Sequence, residues 1–201
     1  MAKPGERKLQ ILQTLATMLE NPKGEKITTA ALAARLACSE AALYRHFASK
    51  AQMYDGLIEL IESSLFGVIN RIAEEQPNGL VQVEHILSLL LSFAQRNRGM
   101  TRVLIGDALV HENERLQARI NQLHDKIEAS LKQALRVAAT QEQLASDADF
   151  GALANLLFCF VVGRWQQYAK SGFSRDPAAY WTQQWPMLLV TCLSQRASQP
   201  V

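Results

Sequence analysis

Apolar residues recur every three or four positions along nearly the whole chain, and alternation of apolar and polar residues persists nowhere, so the pattern predicts helices throughout. A first helix is expected from about Glu6 to Leu19, with Leu9, Ile11, Leu12, Leu15, Ala16 and Leu19 facing inward, and "NPKGEK" breaks it. Thr28 or Thr29 then caps a short helix whose apolar face is Leu32, Ala33 and Leu36. After "ACS", Ser39 caps a third helix in which Ala42, Leu43 and Phe47 are apolar. Ser49 caps a long fourth helix bearing Met53, Leu57, Leu60, Ile61, Leu65 and Ile69, closed by "EQPNG".

A helix over "LVQVEHILSLLLSFAQRN" and a shorter segment around "MTRVLIGDALV" come next. A further long helix places Leu116, Ile120, Leu123, Ile127 and Leu131 at spacings of four, three, four and four. "TQEQLASDAD" reads as a surface loop, and two helices near 147–170 and 177–195 finish the chain, the last kinked or divided by Pro186. The fold class is therefore all-α, with about eight to ten helices in a small N-terminal part, residues 1–50, and a larger C-terminal part, residues 51–201.

Composition agrees with an ordinary globular chain: 201 residues, 48% hydrophobic and 20% charged. The start "MAKPGERK" has no apolar core of a secretory signal, and the most apolar run, "LANLLFCFVVG", is too short to cross a bilayer, so a cytoplasmic protein with no membrane span is expected. Cys38, Cys159 and Cys192 are few, odd in number and widely spaced, which fits reduced, mostly buried thiols better than disulfides or metal ligands. Charge is distributed unevenly. Residues 1–50 hold eight Lys or Arg against four acids, whereas the rest holds 13 against 15, so positive charge concentrates where it can meet a polyanion.

That excess changes the reading of residues 28–50. A helix of about eight residues, a turn of about three and another short helix is the spacing of a helix-turn-helix. The first helix braces the second, which offers its N-terminal residues and exposed face to the DNA major groove. Here Glu40, Ala41, Tyr44 and Arg45 are the exposed positions after the cap. Thr28, Thr29, Ser39, Tyr44 and His46 can donate to phosphate oxygens, and Lys50 adds charge beside first-turn backbone N–H groups that favour anions. A plain helical hairpin with polar caps has the same spacing; the basic excess tips the reading towards DNA.

The segment "TTAALAARLACSEAALYRHFASK" resembles the N-terminal signature of the TetR family of bacterial DNA-binding dimers, with its Tyr-x-His-Phe-x-x-Lys ending. The resemblance implies a three-helix DNA-binding domain, a long connecting fourth helix and a C-terminal domain that dimerises through its last two helices. It assigns DNA contacts to Thr28, Thr29, Ser39, Glu40, Ala41, Tyr44, Arg45, His46 and Lys50. Many members carry glycine in the turn where this chain reads "LACS", so Ala37 or Cys38 must make the bend without glycine's access to positive φ.

From about Leu9 to Leu135 the chain resembles a subgroup of that family, the nucleoid occlusion factors, most clearly beyond the helix-turn-helix in "LLLSFAQRNRGMTRVLIGDALVHENERLQARINQL" and "IEASLKQALR". Past residue 140 the resemblance thins to fragments such as "RWQQYAKSGF" and "QWP". This resemblance implies a nucleoid-associated, DNA-bound homodimer that inhibits assembly of the division GTPase FtsZ by capturing its C-terminal tail between the fourth and fifth helices. Leu60, Leu65, Leu89, Ser92, Arg96 and Asn97 fall on the matching surface, with Val68 where the subgroup is expected to carry arginine. Physically, Arg96 and Arg98 close an otherwise apolar helix and can pair with the carboxylates of an acidic tail. Leu60 and Leu89 read equally as core, and Arg96 as a solvated helix end.

A ligand-responsive transcriptional repressor of the same fold is the alternative function, and a structural dimer without DNA binding a third. Nothing points to an enzyme or a cofactor: His46, His85, His111 and His124 are scattered, with no H-E-x-x-H, G-x-S-x-G or phosphate-binding glycine loop. His124 reads as a partly exposed filler. Trp181 and Trp185 with Tyr180, and the nearly all-apolar "FGALANLLFCFVVG", fit dimer-interface core rather than a ligand cage.

Overall fold

The computed structural model describes residues 4–21, 27–146 and 148–194, with no side-chain description for residue 4 or residues 191–194. Most of "NPKGEK" and the side chain of Cys192 lie outside the described residues. Every regular element described is helical: α1 (Pro4–Leu19), α2 (Thr29–Arg35), α3 (Glu40–Tyr44), α4 (Lys50–Glu75), α5 (Gly79–Arg96), α6 (Arg98–Leu104), a 3-10 turn at Asp107–Leu109, α7 (Glu114–Thr140), α8 (Phe150–Lys170) and α9 (Trp181–Ser194).

The elements start where capping side chains satisfy first-turn amides. Thr28, Ser39 and Ser49 accept from the N–H groups of Ala31, Ala42 and Gln52 at 3.1, 3.2 and 3.2 Å. Gln52 reaches back and accepts the N–H of Ala48, the residue before the cap, at 2.9 Å, tying the incoming chain to the first turn of α4. The start of α5 is held by Asn78, which accepts from Val81 at 3.0 Å, and by Gln141, which accepts the Gly79 N–H at 2.9 Å.

All five apolar residues of the α7 stripe are buried, and each such leucine or isoleucine is worth about 1.5–3 kcal/mol of burial. α7 packs on α4, α5 and α8. Where α5, α7 and α8 meet, the fully buried Trp165 donates from Nε1 to the Leu90 carbonyl at 3.0 Å and meets Phe158 edge-on at 6.0 Å. His124 fills the same region, 5.0 Å from Phe158, with a hydrogen bond to the Leu104 backbone and a buried Nε2 without a partner among the described residues. Burial holds its pKa below the usual histidine range, against the smaller upward pulls of Leu104 and Asp125.

α1 packs against α2, α4 and α6. The contact with α6 is unusually close: a Cβ on Gly99 would lie 1.9 Å from the Ala16 carbonyl oxygen, so only glycine fits. Arg102 reinforces the junction, donating from Nη1 to the carbonyls of Leu19 and Asn21 at 3.2 and 2.9 Å while pairing with Asp107 at 2.7 Å. Burial pushes the Asp107 pKa up, but hydrogen bonds from Lys170 and Arg102 outweigh it and hold the carboxyl below its usual range.

Three expectations are corrected. Leu9 is 41% exposed rather than inward-facing, because the buried face of α1 centres on Ile11, Leu15 and Leu19. The last two helices begin at Phe150 and Trp181, later than the apolar pattern suggested. Of the two outcomes expected at Pro186, a kink or a division, the division is ruled out: α9 runs through Pro186, and the carbonyl that loses its amide partner belongs to Thr182, an exposed residue of the first turn.

Candidate nucleic-acid interface

Leu43 is fully buried and Phe47 nearly so, which turns the rest of α3 outward: Glu40, Ala41, Tyr44 and Arg45 are exposed and His46 is half-buried. Tyr44, at 45% exposure, is a large aromatic side chain left in solvent beside a cationic one. Lys8 of α1 sits 5.7 Å from the Phe47 ring centroid, adding a charge to the same unit.

The turn between α2 and α3 solves the missing glycine directly. Ala37 itself takes the left-handed conformation at φ 50°. The amide of Cys38 bonds the Ala33 carbonyl at 3.0 Å and that of Ala37 bonds the Ala34 carbonyl at 3.1 Å, the two bonds of a Schellman cap. The bend is thus the one glycine would make, held at some cost in strain by a residue with a Cβ.

Thr29 donates from Oγ1 to Glu40, tying the start of α2 to the start of α3. Thr28, Thr29, Ser39 and Glu40 therefore gather at the first turns of the two helices, with Ala41 beside them; Tyr44, Arg45 and His46 lie at the far end of α3. Lys50 opens α4, whose N-cap Ser49 accepts the Gln52 N–H. Its ammonium is engaged: it pairs with Glu112 and lies 5.6 Å from the Tyr54 ring. Burial raises the Tyr54 pKa strongly, Glu112 adds to the rise, and Arg102 opposes it.

The candidate partner surface is only partly assembled. Leu60 and Leu89 are half-buried and pack on the core edge; Arg96 is exposed at the end of α5. Asn97 caps α5, donating from Nδ2 to the Phe93 carbonyl at 2.8 Å, and Ser92 donates to the Ser88 carbonyl at 2.8 Å. Leu65 leaves the set: it is fully buried with Leu57, Ile58 and Ile61 on the core side of α4. Arg98 is committed elsewhere, donating to the Tyr168 hydroxyl at 3.3 Å and lying 5.8 Å from the Phe173 ring.

An apolar face remains uncovered on α8 and α9, where Leu156, Met187 and Val190 are 48%, 67% and 64% exposed. Trp181 and Trp185 lie 5.7 Å apart, with Phe160 6.4 Å from Trp181. No group of three His, Cys, Asp or Glu able to hold a metal occurs among the described residues, and none of their helices is long and apolar enough to cross a membrane.

Residues 25–57 match the family of bacterial regulatory proteins of the tetR type, and residues 77–193 match the SlmA-like family of tetracyclin repressor-like C-terminal domains. The nucleoid occlusion factor SlmA of Colwellia psychrerythraea is 49% identical over 183 residues, covering 91% of this chain and 92% of that protein. Its counterpart in Shewanella pealeana is 51% identical over 179 residues, covering 89% and 91%. The chain belongs to the SlmA family of TetR-type proteins. Among solved structures, the fatty acid degradation regulator FadR of Bacillus halodurans superposes with a TM-score of 0.78 over 94% of this chain and 97% of that one. FadR of Bacillus subtilis in complex with stearoyl-CoA gives 0.74 over 90% and 97%. Both are 14% identical, a likeness of fold alone.

Sequence spacing missed two long-range contacts that support the candidate interface. Glu112, which holds Lys50, lies 62 residues away in the chain, and Arg102 grips the end of α1 from 81 and 83 residues away. No local pattern signals either.

Proposed function

We propose that this chain is a nucleoid occlusion factor: a DNA-bound homodimer, nucleoid-associated in the cytoplasm, that inhibits FtsZ assembly over the chromosome. Residues 1–50 act as the DNA-binding unit and residues 51–201 as the dimerisation and partner-binding part. The observation that carries the reading is the pairing of a helix-turn-helix presenting Tyr44 and Arg45 to solvent with about half identity, over nearly full length, to proteins named nucleoid occlusion factor SlmA.

Two copies joined through the exposed apolar faces of α8 and α9 read a near-palindromic site with half-sites about one helical turn apart. Thr28, Thr29, Ser39, Tyr44, His46 and Lys50 take phosphates; Arg45, with Glu40 and Ala41, faces base edges. Leu60 and Leu89 offer a shallow apolar seat and Arg96 a cation for the acidic C-terminal tail of FtsZ, with Ser92 and Asn97 at its margin. The repressor controlled by a small ligand has less behind it, since Trp165, His124 and Phe158 occupy the centre of the larger bundle.

Anisotropy of a labelled FtsZ tail peptide, titrated with the protein–DNA complex, tests this. Saturable binding that Arg96→Asp abolishes while DNA affinity is kept is expected. No binding by the wild-type complex overturns the partner assignment.

A further inference from the structure

Lys50 stands where the fourth helix meets the candidate DNA face, yet its ammonium is not left to solvent. It is paired with Glu112, and the two side chains are only 21% and 12% exposed. Glu112 is built into place. Gly106, at φ 77°, turns the chain after α6; the 3-10 turn follows, and the Glu112 amide bonds the Leu109 carbonyl at 2.9 Å. Asn113 immediately afterwards caps α7. The same segment is anchored through Asp107 to Arg102, which grips the end of α1. Tyr54 closes the pair on the core side.

We propose that Glu112 is an internal counter-ion for Lys50, positioning the ammonium at the N-terminus of α4 and surrendering it to a DNA phosphate on binding. Glu112 thereby sets the strength and salt dependence of DNA binding without contacting DNA. The inference rests on Lys50 as a phosphate ligand.

A carboxylate and a phosphate compete for one point charge, and the lysine stem holds the ammonium within reach of only one of them at full contact. A carboxylate left behind, part-buried and within a Debye length (about 8–10 Å) of the DNA backbone, is both desolvated and repelled. Wild-type binding carries that cost. Glutamine at 112 keeps the shape and an acceptor oxygen but removes the charge, so Lys50 is released at little cost.

The test measures affinity for specific and scrambled duplexes across a salt series, with full-length wild type and E112Q, E114Q, K50Q and E112Q/K50Q. Glu114 is an exposed neighbour on the same segment and controls for loss of one negative charge. E112Q is expected to tighten binding roughly three- to tenfold on both duplexes, and to steepen the log–log salt slope by up to about 0.9, the increment for one phosphate contact. E114Q gives less than half that gain, and K50Q cancels it in the double variant. A merely structural role moves thermal stability but not the salt slope. Should E112Q unfold, E112D, which keeps the charge but shortens its reach, is expected to shift binding in the same direction.

Gain in E112Q that survives K50Q, or that E114Q equals, overturns the counter-ion. K50Q binding DNA as wild type does, in both backgrounds, instead removes the phosphate role of Lys50 on which the proposal stands.

Discussion

Replacing Ala37 with glycine is expected to stabilise the protein although it removes a methyl group. Ala37 sits at φ 50° on the exposed side of the α2–α3 turn, so nothing packs away with its Cβ. A residue with a Cβ pays about 1–2 kcal/mol to adopt this region, which glycine adopts freely. Against that, glycine gives the unfolded chain extra freedom worth about 0.4–1 kcal/mol. The balance runs from near zero to a gain of about 1.6 kcal/mol, centred on about 0.8 kcal/mol, or roughly 2–3 °C in melting temperature for a chain of this size. Ala129, exposed in the middle of α7, supplies the contrast: glycine there costs about 1 kcal/mol by helix propensity alone. Urea unfolding of both variants, with an unchanged slope on denaturant, reads the two signs directly. If A37G loses stability as A129G does, the left-handed turn and the docking of α3 built on it are wrong.

Gly99→Ala must push α6 away from the Ala16 carbonyl, and a loss of roughly 2–3 kcal/mol with weaker DNA binding is expected; denaturation at wild-type stability would contradict the close contact. Tyr44→Ala weakens binding to all duplexes alike, whereas Arg45→Ala costs about 1–3 kcal/mol per half-site on the cognate sequence alone if it pairs with guanine, which paired titrations on site and scrambled DNA separate. Burial depresses the pKa of His124 in the folded protein, so unfolding takes up a proton as pH falls through the ordinary histidine value of about 6.5, and stability present above that value is lost as pH falls. Melting curves from pH 7.5 to 5.5 should therefore slope less in His124→Phe than in wild type, and identical slopes would refute this.

How much of this was legible in the sequence depends on whether the cause was local. The caps at Thr28, Ser39 and Ser49 and the stripe from Leu116 to Leu131 were readable, because a cap spans three residues and a stripe follows helical period. Leu65 was misplaced on the partner surface although the period forbids it: at 100° per residue it lies about 140° around α4 from Leu60. Leu9 fails likewise, about 120° around α1 from Leu15. Ala37 is different, since its φ is imposed by the two Schellman bonds and the packing of α2 and α3, and alanine carries no mark of it. The links of Lys50 to Glu112 and of Arg102 to the end of α1 are tertiary facts that no spacing encodes.

The central claim is that a DNA-bound dimer of this chain disassembles or blocks FtsZ polymers. Sedimentation of FtsZ with GTP, with and without this protein and its cognate duplex, measures that directly. Polymer in the pellet should fall when protein and DNA are present together at stoichiometric amounts; an unchanged pellet would contradict the account.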